Sequence, residues 1–234
     1  GSESNMGVYG GPNKVKGGIV FSLDGANPNS YAGDTLSSVG TDYGYWAGGE
    51  GPSPGAASST VDRVDFSNDT PTTTAKGPLA ATTTNTAATG NISYGYIGSG
   101  NTYPPPTTVQ RVDYSSDSST STPKGALTSG RYRHAATGNA DYGYFGGGQA
   151  PEMSSVDRID YSNDTATAAP KGPLSIKRSQ LSATGNASYG YFSSGIPGAG
   201  SIVDRIDYSN DTATAVAKGP LNDARRGTAS TGNA

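Results

Sequence analysis

The fold is decided by a stretch that recurs four times, and its third copy reads Tyr142-Gly143-Tyr144-Phe145-Gly146-Gly147 and then Val156-Asp157-Arg158-Ile159-Asp160-Tyr161. The Tyr-Gly-Tyr element begins at Tyr43, Tyr94, Tyr142 and Tyr189. Each copy closes with a Lys-Gly-(Pro/Ala)-Leu turn, at 76–79, 124–127, 171–174 and 218–221. A repeat of roughly 50 residues containing several short extended segments is typical of propellers and repeat arrays.

The third copy predicts four short antiparallel strands. They are residues 134–137, 142–147, 155–161 and 165–169. Gly138-Asn139 forms a hairpin turn between the first two strands, and Ser162-Asn163-Asp164 turns the chain before the fourth. The Pro-containing run 170–173 is expected to end that strand. The predicted fold class is therefore all-β, a β-propeller of four four-stranded blades with a short N-terminal extension.

The sequence divides into an arm and a repeat region. Residues 1–40 hold the densest aliphatic run, at 17–24, which alternates like a strand. This arm is too short to fold alone, so we expect it to dock on the repeats or on another chain. Residues 41–234 are expected to form the propeller, with repeats at 41–91, 92–139, 140–186 and 187–234.

The run 224–234 copies the first strand of a blade, and two interpretations stay open. It either completes the blade begun at Tyr43 and closes a ring within one chain, or it starts another blade of a larger or oligomeric ring. Closure removes exposed sheet edges, which favours the first interpretation.

Composition bounds both the core and the partners. The chain has 15 Tyr, 35 Gly and only 4 Phe, so the core is expected to be thin, with Tyr rings packed against small residues. A net charge of −3 without a basic stripe argues against nucleic acid. No apolar run approaches the roughly 20 residues of a membrane span, so no membrane insertion is expected. Zero Cys excludes disulfides and thiolate chemistry.

One arginine recurs in every copy, and it has two interpretations. Such a ring of guanidinium groups suits an anionic sugar or carboxylate, because Arg offers bidentate donors. The alternative is an ion pair with the Asp two residues further along the same strand, which repetition in every blade favours. The arginines are Arg63, Arg111, Arg158 and Arg205, and the aspartates are Asp65, Asp113, Asp160 and Asp207.

No other residue pattern predicts a catalytic, cofactor or metal site. Asn-Asp-Thr at 68–70, 163–165 and 210–212 offers too few oxygens for Ca²⁺, so side-chain capping of a turn is preferred. His134, the only His, cannot form a multi-His site and is expected to be a strand or loop residue. Trp46 stands where other copies have Ile97, Phe145 and Phe192, which predicts a packing role.

Ligand-binding residues stay unknown at this point, although the loops are the natural place for them. The loops vary most at 50–60, 99–107, 148–154 and 194–201. Tyr103 and Met153 are candidates for exposed contacts, and filling between blades is equally compatible with their types.

The repeat resembles the blade of kelch-like propellers. The resemblance rests on Tyr144-Phe145-Gly146-Gly147, on Tyr45-Trp46-Ala47-Gly48-Gly49 and on the Val-x-x-(Val/Ile)-Asp-Tyr strand. It implies blade geometry and leaves function open, because propellers host many roles.

Two further runs resemble phage proteins. Residues 18–31, Gly-Ile-Val-Phe-Ser-Leu-Asp-Gly-Ala-Asn-Pro-Asn-Ser-Tyr, are similar to the opening of many tailed-phage structural proteins. The repeat motif Val-Asp-Arg-Ile-Asp-Tyr-Ser-Asn-Asp-Thr-Ala-Thr-Ala, at 156–168, is similar to repeats in virion proteins of marine, especially cyanobacterial, phages. The resemblance implies a virion component.

The sequence thus favours a non-enzymatic phage virion structural protein, a tail or capsid appendage or fibre component with a role in host-surface attachment. Its expected partners are other virion proteins through the arm, a host surface glycan and further copies of itself. The alternative is a carbohydrate-binding, lectin-like propeller. An enzyme is disfavoured, because the Ser-x-Asp-x-Gly-x-Thr-Trp repeat of sialidase-type propellers is not found.

Overall fold

The computed structural model describes residues 14–15, 19–20, 43–51, 53, 55–101, 104–197 and 200–232. The chain divides into two compact units, 1–42 and 43–234. In the first unit, β1 (Lys14–Val15) pairs antiparallel with β2 (Ile19–Val20). The rest of the strand predicted at 17–24, and Tyr103, lie outside the described residues.

The second unit consists of four antiparallel sheets, which we call blades 1 to 4. Blade 1 has β3 (Tyr43–Ala47), β4 (Val61–Asp65) and β5 (Thr74–Ala75). Blade 2 has β6 (Ala87–Gly90), β7 (Tyr94–Gly98), β8 (Val109–Asp113) and β9 (Thr122–Lys124). Blade 3 has β10 (Ala135–Gly138), β11 (Tyr142–Gly146), β12 (Val156–Asp160) and β13 (Ala169–Lys171). Blade 4 has β14 (Ser182–Gly185), β15 (Tyr189–Ser193), β16 (Val203–Asp207) and β17 (Val216–Lys218).

Strands within each blade follow chain order, so the all-β, four-bladed propeller architecture predicted from the repeats is confirmed. The register places Tyr144 opposite Arg158 and Tyr142 opposite Asp160, and the other blades repeat it. Helix in the described part of the chain is limited to three 3-10 turns, at Tyr114–Ser116, Tyr161–Asn163 and Tyr208–Asn210.

The fourth strand differs from the prediction. It spans Ala169–Lys171 instead of 165–169, and it includes the proline that was expected to end it. Pro170 is tolerated because β13 is the edge strand of its sheet, where a missing N–H costs little. The preceding residues belong to the turn that follows the Tyr161–Asn163 segment.

Tyrosines and glycines join each blade to the next. Ring pairs stack across all three interfaces, with centroids 4.7 to 4.8 Å apart: Tyr45 on Tyr114, Tyr96 on Tyr161 and Tyr144 on Tyr208. Phe145 and Phe192 lie against Gly98 and Gly146 of the preceding blade, where any Cβ would meet the ring. The Tyr rings packed against small residues are present as expected, but the core clusters also contain buried aliphatic and Phe side chains, among them Val156, Leu174 and Phe192.

The Lys-Gly turn brings two backbones into contact. The amide of Gly172 donates to the carbonyl oxygen of Asp211 in blade 4 at 2.8 Å, and a Cβ at this position would overlap the carbonyl of Ala213. Gly77 and Gly125 have the same close approach. The equivalent glycine of blade 4, Gly219, has nothing within 4 Å of such a Cβ.

The run 228–232 lies along β14. Thr228 Oγ1 is 2.7 Å from Ser182 Oγ, and the hydroxyl of Ser230 donates to the carbonyl oxygen of Ala183 at 2.7 Å. β3 is an edge strand, and no hydrogen bond joins it to 228–232 among the residues described. Closure of the ring within one chain stays a prediction.

We expect Gly172→Ala to lower the free energy of unfolding by about 2–3 kcal/mol, because the added methyl group forces two blades apart. Gly219→Ala is the matched control, and it should change that free energy by less than about 0.5 kcal/mol. Urea unfolding measures both, and equal losses in the two variants would contradict this account of the interface.

Candidate binding surface

Three of the four repeated arginines pair with the next blade, and the predicted pairing along the same strand is wrong. Arg158 Nη1 lies 2.8 Å from Asp211 Oδ2, while its guanidinium stands 4.1 Å over the ring of Tyr142. Asp160 instead caps the 3-10 turn, accepting from the backbone N–H of Ser162 at 2.9 Å. Arg63 and Arg111 reach Asp117 and Asp164 in the same way, each at 2.8 Å.

Each acceptor carboxylate is held by three groups of the preceding blade. Asp164 accepts from Arg111, from the hydroxyl of Tyr96 at 2.9 Å and from Lys124 at 3.1 Å. Burial opposes ionisation, but hydrogen bonds from Lys124 and Tyr96 and the charge of Arg111 lower the pKa of Asp164. The turn-capping role predicted for the aspartates of 163–165 and 210–212 is therefore wrong, since they are interblade acceptors.

A second, fully buried ion pair was missed from the sequence. Arg131 Nη2 lies 2.7 Å from Asp157, and Arg178 Nη2 lies 2.8 Å from Asp204, with no side-chain exposure. In blade 2 both members of the pair are replaced: Thr83 stands at the position of the arginine and Gln110 at that of the aspartate. This paired replacement was the one signal in the sequence that the two positions touch.

His134 and Trp46 have opposite environments. His134 is buried and its ring packs on Phe145, with 5.9 Å between ring centroids. Burial and the charge of Arg131 lower the pKa of His134 to about 3, so the imidazole is neutral. Trp46 is 59% exposed, so the packing role predicted for it is not found. It lacks the preceding blade that covers Phe145 and Phe192.

Four equivalent residues at the blade junctions form what we call the polar row: Asn85, Arg133, Gln180 and Gly227. Successive members are joined by backbone hydrogen bonds from N–H to carbonyl oxygen, at 2.8, 2.7 and 3.0 Å. All four have left-handed backbone, with φ of 53°, 55°, 58° and 61°. Glycine adopts this conformation freely, whereas Arg and Gln pay about 1 kcal/mol or more.

The polar row lines a groove of about 310 Å³, together with Thr86, His134 and Leu181. Its guanidinium and amide groups supply several donors and acceptors, the chemistry that hydroxyl and carboxylate groups of a glycan require. Arg133 Nη1 also donates to Gln149 Oε1 at 3.3 Å, in the loop 148–154. Because these side chains differ in each blade while the framework is constant, we take this groove as the candidate functional site.

Met153, the one predicted loop candidate that the structure describes, does not line this groove. Met153 is half-buried, and its amide donates to the carbonyl oxygen of Gly148 at 3.0 Å. Among the described residues no cluster of three or more His, Asp or Glu side chains is arranged to hold a metal ion. In the same part of the chain no helix has the length and apolarity needed to cross a membrane.

A scan against protein-family models and a search of curated proteins give no match to this chain.

The buried imidazole predicts an acid-sensitive stability. The unfolded chain protonates His134 near its ordinary pKa of 6.5, but the folded chain does so only near 3. The free energy of unfolding is therefore at its full value above about pH 6.5. Below that it falls by up to about 1.4 kcal/mol per pH unit. The pKa values of Asp117 and Asp164 are lowered in the folded chain, so these groups reduce the free energy of unfolding only as the pH falls towards their ordinary pKa of about 4.

His134→Phe, which fills a similar volume without a titrating group, should remove this slope between pH 6 and 4.5. Urea unfolding at a series of pH values measures it. A slope that is the same in the variant and the parent chain would contradict the assignment.

Proposed function

We propose that this chain is a non-enzymatic structural protein of a phage virion, a component of a tail or capsid appendage or fibre that attaches to the host surface. The observation that carries the attachment role is the polar row. Arg133 and Gln180 occupy a strained backbone position where Gly227 shows that glycine fits. Side chains kept at such a cost are more often functional than structural.

The interblade networks support a non-enzymatic role. At the three interfaces, the recurring Arg, Lys and Tyr side chains are occupied with one carboxylate of the next blade. The buried Arg131 and Arg178 are likewise paired. These groups hold neighbouring blades together or, for Arg131 and Arg178, brace a single blade, and they are not free to act on a substrate.

The virion assignment is supported by the similarity of residues 18–31 and of the repeat motif at 156–168 to phage virion proteins. A free carbohydrate-binding propeller is the second candidate, favoured by the amide and guanidinium groups in the groove. Both functions use the same surface and differ in where the protein is found.

Mass spectrometry of purified virions separates the two candidates. We expect peptides of this chain at a stoichiometry comparable with other virion proteins. Peptides confined to the infected-cell lysate would contradict the virion role.

The double variant Arg133→Gly, Gln180→Gly tests the polar row. It should keep or raise the free energy of unfolding, by up to about 1 kcal/mol per site, because glycine relieves the left-handed strain. Binding to host cells or to an array of their surface glycans should weaken at least about tenfold, the effect of losing 1.4 kcal/mol of contacts.

Ile92→Ala is the control for this pair, because it shortens an exposed side chain that does not line the groove. It should leave binding unchanged. If the double variant binds as strongly as the parent chain, the polar row is not the attachment surface.

A further inference from the structure

We propose that a second copy of this chain docks head to tail, with its blade 1 on the free face of blade 4. The contact joins a socket, consisting of Tyr191, Arg205, Lys218 and Gly219, to a knob, consisting of Phe66 and Asp69. This inference is independent of the proposed function. It rests on residue positions that pair across the three interior interfaces and that have no partner in blades 1 and 4 among the described residues.

The interface between blades 3 and 4 defines what a filled socket looks like. Tyr144 stacks on Tyr208 at 4.7 Å, and Tyr144, Arg158 and Lys171 converge on Asp211 at 2.9, 2.8 and 3.1 Å. The socket residues stand at the same repeat positions in blade 4 as Tyr144, Arg158, Lys171 and Gly172 in blade 3. The knob residues stand at the positions of Tyr208 and Asp211.

The socket is formed, and none of the described residues fills it. Arg205 stands 4.3 Å over the ring of Tyr189, the same pose as Arg158 over Tyr142 at 4.1 Å. Yet neither Arg205 nor Lys218 has an ion pair among the residues described. A groove of about 560 Å³ opens beside Tyr191, on the face that the next blade would cover.

The knob is exposed as well. Phe66 is 60% exposed, whereas Tyr161 at the equivalent position of blade 3 is 9% exposed. Asp69 is exposed and has no ion pair within the described part of the chain, while Asp117, Asp164 and Asp211 are each held by two cations. An acidic knob and a doubly basic socket are complementary in charge.

Two further features of the ends match each other. Arg225 and Asp62 stand at the positions of the buried pair Arg178–Asp204, and neither has an ion pair among the described residues. The run 228–232 already lies along β14 and pairs with no second strand among the residues described, while β3 is an edge strand. A docked copy would pair its β3 with this run, as β14 pairs with β15.

The occupant is a second copy because the two surfaces are complementary: blade 1 carries the acidic knob and blade 4 the basic socket, at the repeat positions that pair across the three interior interfaces. Docking repeats a geometry that the chain makes three times and requires none of those interfaces to bend. Contact between two different surfaces of one molecule is heterologous, so association continues into longer head-to-tail assemblies unless the rotation closes a ring.

The contact departs from the interior interfaces at two positions, which weakens it. Ser193 replaces the glycine of Gly98 and Gly146, and in the docked pair it would meet Trp46 where those glycines meet Phe145 and Phe192. Phe66 lacks the hydroxyl that Tyr161 places 3.1 Å from Thr89 Oγ1. We therefore expect reversible, concentration-dependent association.

Sedimentation velocity over a range of concentrations tests the proposal. The full chain should form species that grow with concentration. Gly219→Ala should leave the unfolding midpoint of the monomer unchanged and weaken association about 100-fold, since its methyl group occupies space that only the docked copy fills. Ser193→Gly should tighten association.

Charge variants identify the partners. Asp69→Lys and Lys218→Glu should each abolish association alone by placing like charges together, and an equimolar mixture should associate again, because each variant keeps one intact end. Asp141→Lys, the same charge change at an exposed turn residue, is the control and should associate like the parent chain.

A parent chain that stays monomeric at every concentration would overturn the proposal. If in that monomer Gly219→Ala also lowers the unfolding midpoint, the socket is filled by blade 1 of the same chain and the ring is closed. Association that is unaffected by Gly219→Ala and Asp69→Lys would place the interface elsewhere and would also overturn it.

Discussion

The molecule depends on one carboxylate per interface, held by Tyr, Arg and Lys of the preceding blade. Taking Asp211 out of water is costly, and the cost is offset because two cations and a phenol hydroxyl surround it. The arrangement requires both blades at once, so a blade is complete only when the next one is docked. Removing the carboxylate would leave Arg158, Lys171 and Tyr144 without their shared acceptor, so the two blades are energetically coupled.

This constraint explains how a chain so poor in aliphatic residues folds. Stacked Tyr rings supply area, and glycines let backbone approach backbone, as at Gly172. The polar groups that such close packing buries are satisfied across the interface, so each blade contributes specificity as well as contact area. In the described part of the chain, Asp69 of blade 1 and Arg205 and Lys218 of blade 4 are the counterparts of these groups that have no ion pair.

Repeated contacts between blades fix the backbone, so side chains that take no part in those contacts can differ from blade to blade without disturbing the fold. In the polar row the backbone is invariant in conformation, but Asn85, Arg133 and Gln180 differ in chemistry. Rigid backbone and varied side chains are the conditions under which a surface acquires recognition without loss of stability. Attachment by a virion component would use this surface, and head-to-tail docking would use the ends.

The sequence by itself determined the all-β class, the four blades and most strand positions, because the repeat fixes period-2 alternation and turn residues locally. It did not determine which carboxylate pairs with Arg158, since Asp160 lies nearer in sequence and only packing brings Asp211 closer. The left-handed conformation of Arg133 and the burial of His134 were likewise decided by tertiary structure. Both follow from the fit of one blade against its neighbour, which no local pattern encodes.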